Sequence, residues 1–170
     1  MRCNHERLLS ALVVLLAASE HIAYAADTLY RDPRKPSFTI MVPDGWNVER
    51  DRSGVILRRG ASRAQVSVMN PPAQSSEALF YTVKQQLMNQ SKNFRELGSG
   101  SVRFGGQPGL FLTFSAIPPI GGTTEITRLV VMTDGRLSYL LWLSVIPEEV
   151  NTFKRDFDRI QSSFTPDPVH

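Results

Sequence analysis

The sequence predicts an α/β sandwich of the α+β type, with a central antiparallel sheet covered by a helix on each face. Three observations carry this. Short β-rich runs separated by tight turns follow one another from Phe38 to Met69. Two long apolar runs between Thr123 and Ile146 meet at Asp134-Gly135. Two amphipathic stretches, 76–93 and 147–164, supply helices to cover the sheet.

The chain opens with an export leader. Arg2 and Arg7 bracket a short basic start, Leu8 to Ala18 is apolar, and Ala23-Tyr24-Ala25 gives a small-x-small cleavage site before Ala26. The apolar run is too short to span a bilayer, and no second apolar span follows. Cys3 precedes the apolar run and is not placed for lipid attachment. Residues 26–36 read as a loose polar arm, 37–164 as a single domain, and 165–170 as a tail.

Phe38 to Val42 alternates and forms the first expected strand, ended by Pro43-Asp44-Gly45. Trp46–Glu49, Val55–Arg59 and Gln65–Met69 follow as short antiparallel strands. Ser75 and Ser76 offer N-caps for a helix over 76–93, striped by Leu79, Phe80, Val83, Leu87 and Phe94. Gly98-Ser99-Gly100-Ser101 reads as a flexible connection. Val102–Phe104, a Gly-rich turn and Leu110–Ala116 come next.

Asp-Gly between apolar runs predicts a two-residue hairpin loop. Met132 would then face Leu137, and Val130 would face Tyr139. One face carries Val130, Met132, Leu137, Tyr139, Leu141, Leu143 and Val145. The other carries Leu129, Val131, Leu140, Trp142 and Ile146. Both faces are apolar, so each needs a cover. Pro147 opens the second helix, with Glu148 and Glu149 at its positive end and Val150, Phe153, Phe157, Ile160 and Phe164 as its stripe.

Composition narrows the chemistry. The net charge of +3 is spread out, unlike the clustered Lys and Arg of a nucleic-acid binder. Once the leader is cut, no cysteine remains and His170 is the sole histidine. This removes cysteine nucleophiles, disulfides and thiolate metal sites, and leaves a serine triad only a terminal histidine. No G-x-S-x-G, H-E-x-x-H, phosphate loop or calcium-loop spacing is present. No cofactor and no metal are expected. Asp156 and Asp158, at i and i+2 of a helix, do not face each other. A hydrolase using two carboxylates that meet only in space stays open as a third reading.

Two stretches are candidate contact surfaces. The first is the basic group Arg50, Arg52, Arg58, Arg59 and Arg63, which could dock an acidic partner or anionic headgroups. The other reading is a charged strand edge that discourages aggregation. The second is the loop Ile117-Pro118-Pro119-Ile120, apolar surface that either meets a partner or folds back over the core. Phe38, Trp46, Phe111, Tyr139 and Trp142 could line a ligand pocket or serve as core.

Phe38-x-Ile40-x-Val42-Pro43-x-Gly45-Trp46 resembles the opening of PsbP-like and DcrB-type domains, whose fold also occurs in the Ran-binding Mog protein. The Gly106-x-Pro108-Gly109 turn, the hairpin with Tyr139 and the closing Ile160-x-Ser162-Ser163-Phe164 extend the resemblance from about Phe38 to Phe164. It implies an α/β/α sandwich acting as a non-enzymatic accessory or interaction module in an exported compartment. The expected partner is a periplasmic or other envelope protein. The alternative is a lipid or small apolar ligand held between the sheet and the 76–93 helix. PsbP proteins proper carry histidines associated with metal, whereas the mature chain here has only His170.

Overall fold

The computed structural model describes residues 22–23, 26–33, 38–119 and 122–167. The stretch expected to be an export leader, apart from 22–23, and Ile120 therefore lie outside the described residues.

The strands are β1 (Ile22–Ala23), β2 (Thr28–Arg31), β3 (Phe38–Val42), β4 (Asn47–Arg50), β5 (Gly54–Arg59) and β6 (Ser62–Met69). Helix α1 (Ser76–Gln90) precedes β7 (Lys92–Phe104), β8 (Gln107–Ile117), β9 (Glu125–Thr133) and β10 (Ser138–Val145). A 3-10 turn at Pro147–Glu149 leads into α2 (Val150–Ser163), and β11 (Thr165–Pro166) follows. The main sheet is antiparallel, in the order β1-β4-β5-β6-β10-β9-β8-β7. One helix covers each face, as the two-sided hydrophobicity requires.

The described parts of the arm and tail, 26–33 and 165–167, take part in the fold. β2 and β11 flank β3 in a separate three-stranded sheet. Tyr30 of the arm is buried and Arg31 bonds Asp167 of the tail at 2.8 Å. Alternation in Phe38, Ile40 and Val42 is real, since all three are fully buried, but they pack under α2 rather than in the main sheet.

Two further boundaries move. Helix α1 is capped by Ser75, whose Oγ accepts from Ala78 N at 3.1 Å, and ends at Gln90. Ser91 is already extended and Asn93 adopts φ 55, a conformation asparagine tolerates. Phe94 therefore belongs to a strand, where it stacks on Phe114 at 5.2 Å. The Gly98–Ser101 stretch is not a connection. It sits inside β7, paired to Leu110–Thr113, and its lack of side chains has a use at Gly100, where a Cβ would stand 3.2 Å from the Phe111 ring.

The β9–β10 loop is four residues, not two. Asp134 Oδ1 accepts from Arg136 N and Leu137 N, both at 2.9 Å, and Asp134 N donates to Leu137 O at 3.2 Å. This Asx turn displaces the pairing by two, so Tyr139 faces Met132 and Leu141 faces Val130. A shift of two leaves every side chain on its expected face. Val130, Met132, Tyr139, Leu141 and Leu143 join the α2-side core. Leu129, Val131 and Leu140 join the α1-side core. Ile146 lies beyond β10.

The α2-side core is the larger. Phe164 is its centre, stacked on Phe104 at 4.1 Å and Phe38 at 5.6 Å, with Tyr139 edge-on at 5.3 Å. Trp46 meets Phe153 edge-on at 5.7 Å. On the other side α1 packs over β7, β8 and β9. The β4-β5-β6 end of that face stays without a helix, and Ile56, Arg63, Gln65, Ser67 and Trp142 are half-buried there.

Candidate functional site

A groove opens beside α1, at the boundary between the covered and bare halves of the sheet. It is built from one row of registered residues. Arg63 on β6 faces Ser144 on β10, Ser144 faces Thr127 on β9, and Thr127 faces Phe114 on β8. All four line the groove. Trp142, two residues along β10, extends the floor toward the middle of the sheet, and Ala116 and Glu125 extend it toward the sheet end. Leu87 and Ser91 at the end of α1 form one wall, and Pro118 and Pro119 form another.

The cavity volume is about 170 Å³. An apolar cavity of ~150 Å³ holds a benzene ring, whereas pockets for drug-sized ligands span ~300–1,000 Å³. The groove therefore accepts one side chain or ring. Its floor carries a buried polar pair, Thr127 Oγ1 and Ser144 Oγ, 2.9 Å apart. Charges stand at two edges, Arg63 on the β6 side and Glu125 at the start of β9. Neither makes an ion pair within the described residues.

The groove gathers parts of all three candidate sets. From the apolar loop come Pro118, half-buried, and Pro119, exposed. Ile117 is half-buried at the end of β8 and does not line the groove. From the aromatic set comes Trp142 alone. Phe38, Trp46 and Tyr139 are buried in the α2-side core, where Trp46 Nε1 donates to Asp156 at 2.8 Å. Phe111 packs at that core's edge beneath Arg128, whose guanidinium lies 4.1 Å from the ring centroid.

The basic group is divided by strand geometry. Arg58 and Arg59 are neighbours, so they project to opposite faces. Arg58 bonds Glu49 at 3.0 Å, and Arg59 reaches Asp156 on α2 at 3.3 Å. Arg50 and Arg52 are exposed around the β4–β5 turn, which closes with reciprocal bonds between Asp51 and Gly54. Arg63 alone enters the groove. At the other edge of the sheet, Lys84 of α1 bonds Glu96 of β7 at 2.6 Å, which holds the Glu96 carboxyl below its usual range with help from Ser99. No cluster of three or more His, Cys, Asp or Glu able to hold a metal occurs among the described residues. No described helix is long and apolar enough to cross a membrane.

Neither a protein-family profile nor a curated protein sequence matches this chain. Solved structures do. The solution structure of cyanobacterial PsbP from Synechocystis sp. PCC 6803 aligns over 86% of this chain and 95% of its own, with a TM-score of 0.61 and 16% identity. The fold is that of PsbP. PA94 from Pseudomonas aeruginosa, described as a putative regulator of unknown function, aligns over 85% of this chain and 99% of its own, with a TM-score of 0.60 and 16% identity. LpqN of Mycobacterium tuberculosis, described as involved in cell envelope biogenesis, aligns over 84% and 92%, with a TM-score of 0.57 and 20% identity.

The residues carrying the PsbP resemblance have structural jobs in this fold. Phe38, Ile40, Val42 and Trp46 fill the α2-side core, and Gly45 turns the chain at φ 76. Gly109 lets β8 approach β9, since a Cβ there would stand 2.7 Å from Val131 O. Ile160 and Phe164 close the same core. The resemblance thus describes one side of the molecule and is silent about the groove on the other. The groove's wall and floor leave only diffuse sequence signals: two hydroxyl residues in otherwise apolar strands, and a Pro-Pro step at a strand end.

Proposed function

We propose that this chain is an exported accessory domain of the cell envelope that works, without catalysis, by binding another protein through the groove beside α1. The groove itself supports this most. At about 170 Å³, open and walled by Leu87, Pro118 and Pro119, it suits a single apolar side chain presented by a partner. It carries one carboxylate, Glu125, and not the facing pair that carboxylate hydrolysis needs.

Export rests on the leader at 1–25 and is in keeping with the envelope role described for LpqN. Cutting before Ala26 would remove β1, which pairs Ile22 with Val48, and leave β4 as the sheet edge. Residues 26–167 would stay as one domain, because β2 and β11 both pair with β3. A carrier holding a lipid between the sheet and α1 would use this cleft, and about 170 Å³ is too small for an acyl chain to be enclosed.

The test is capture of envelope proteins by the mature chain and by two variants. Leu87→Glu places a charge in the groove wall, and Arg155→Glu alters the exposed side of α2. Loss of a captured protein with Leu87→Glu, and retention with Arg155→Glu, supports the reading. Equal capture by all three contradicts it.

A further inference from the structure

The groove has polarity as well as an apolar floor. Across the row Arg63 is followed by Ser144, Thr127 and then Phe114, and all four line the groove. The two hydroxyls bond each other at 2.9 Å, which uses one of their two O–H hydrogens. The second hydrogen is available to another acceptor. Arg63 adds N–H donors and no acceptor. Donors are therefore in excess at this end of the groove, and the guanidinium has no carboxylate partner among the described residues. The acid that does line the groove, Glu125, lies two residues along β9 from Thr127, toward the sheet end. The complement of this arrangement is an anion on the Arg63–Ser144 side, joined directly to an apolar group over Trp142, Phe114 and Ala116.

We propose that the groove binds the C-terminal residue of a partner chain, with its free carboxylate on Arg63 and the Ser144–Thr127 hydroxyls and its apolar side chain on the floor. This rests on the reading of the groove as a protein-binding site. The volume, about 170 Å³, admits one residue. A terminal residue presents carboxylate and side chain on the same Cα, so both fit. In an extended internal segment, an acid next to an apolar residue points to the opposite face. Entry past Glu125 gives the residue before the terminus an acidic neighbour, so a basic residue there is favoured.

The probes are acetyl-Ala-Lys-Leu with a free C-terminus, the same peptide amidated, and octanoate, titrated into the full mature chain. The reporter is the indole N–H resonance of Trp142, assigned by Trp142→Phe and distinct from that of Trp46 in the opposite core. The free acid is expected to bind at least tenfold more tightly than the amide. Arg63→Gln should reduce the acid to the level of the amide, while Arg155→Gln should preserve the difference. Replacing Lys by Glu in the peptide should weaken it severalfold. Equal binding of acid and amide overturns carboxylate recognition. Octanoate binding as tightly as the tripeptide overturns the assignment to a chain terminus. No movement of the Trp142 resonance with either peptide overturns the proposal as a whole. Protein binding is judged separately by the Leu87→Glu capture experiment, so one can fail while the other stands.

Discussion

Arg58 and Arg63 stand directly opposite each other across the β5–β6 hairpin, yet only Arg58 has a carboxylate, Glu49 at 3.0 Å. Like charges directly opposite on one face of a sheet are destabilising. Arg63 is therefore held where it costs stability, at the rim of the groove. Arg63→Thr should raise stability by about 0.2–1 kcal/mol, the usual size of a cross-strand pair term, while weakening anion recognition. Urea unfolding measures the first effect. A loss of stability instead would mean that Arg63 has a packing role and is not kept for binding.

Glu49→Gln should act in the opposite direction. It removes the carboxylate bonded to Arg58, which faces Arg63, and its cost should be about 0.5–1 kcal/mol because both partners are partly exposed. The loss should shrink in Arg63→Thr, which a double-mutant cycle reads directly.

The two sides of the molecule differ in how much of them the sequence revealed. The α2-side core was legible because Phe38-x-Ile40-x-Val42 alternates and Phe153, Phe157, Ile160 and Phe164 recur at helical steps. Face assignments in β9 and β10 survived a wrong loop length because the error was an even number of residues. β7 was missed at Gly98–Ser101, where glycine and serine look like a linker until pairing with β8 supplies the reason for them. The groove was legible only in pieces. Arg63, the Pro118-Pro119 step and Trp142 are far apart in sequence, and the fold brings them together.

Asp156 of α2 is bonded by both Trp46 and Arg59. It accepts from Trp46 Nε1 at 2.8 Å and from Arg59 at 3.3 Å, and Trp46 is fully buried. Asp156→Ala leaves an indole N–H without its acceptor and should cost about 1–3 kcal/mol. Asp158→Ala, two residues on and paired with exposed Lys154, should change stability by less than ~0.5 kcal/mol. Comparable losses from both would contradict this division of roles.

Tyr139 gives the fold an alkaline limit. Burial pushes its phenol up to about 12, with Asp134 and Asp167 adding to the shift. The folded state keeps the proton more tightly than the unfolded chain, whose tyrosines titrate near ~10. The stability from this group is present in full below pH ~10 and lost as pH rises from ~10 to ~12, to a total of ~3 kcal/mol. Tyr139→Phe, which keeps the ring beside Phe164, should unfold at higher pH than the parent chain. Identical alkaline transitions would contradict the assignment.

Gly105 is fixed by its backbone and its neighbours. It has φ 60, and a Cβ there would stand 2.7 Å from Pro166 Cδ and 3.1 Å from the Phe164 ring. Gly105→Ala should cost about 1–3 kcal/mol through strain alone. Gly106→Ala has φ 78 but open space around it, so it should cost less. Thermal melts of the two variants rank them, and the reverse order would mean that the β11 contact carries little.

The central claim is that the groove beside α1 is where this domain meets another protein. Photo-crosslinking in intact cells tests it most directly, with a benzophenone amino acid in place of Pro119 at the groove wall or of Arg155 on the exposed side of α2. The account predicts a discrete crosslinked protein from position 119, lost when Leu87→Glu is added, and none from position 155. Crosslinks from position 155 alone, or from position 119 unaffected by Leu87→Glu, would contradict it.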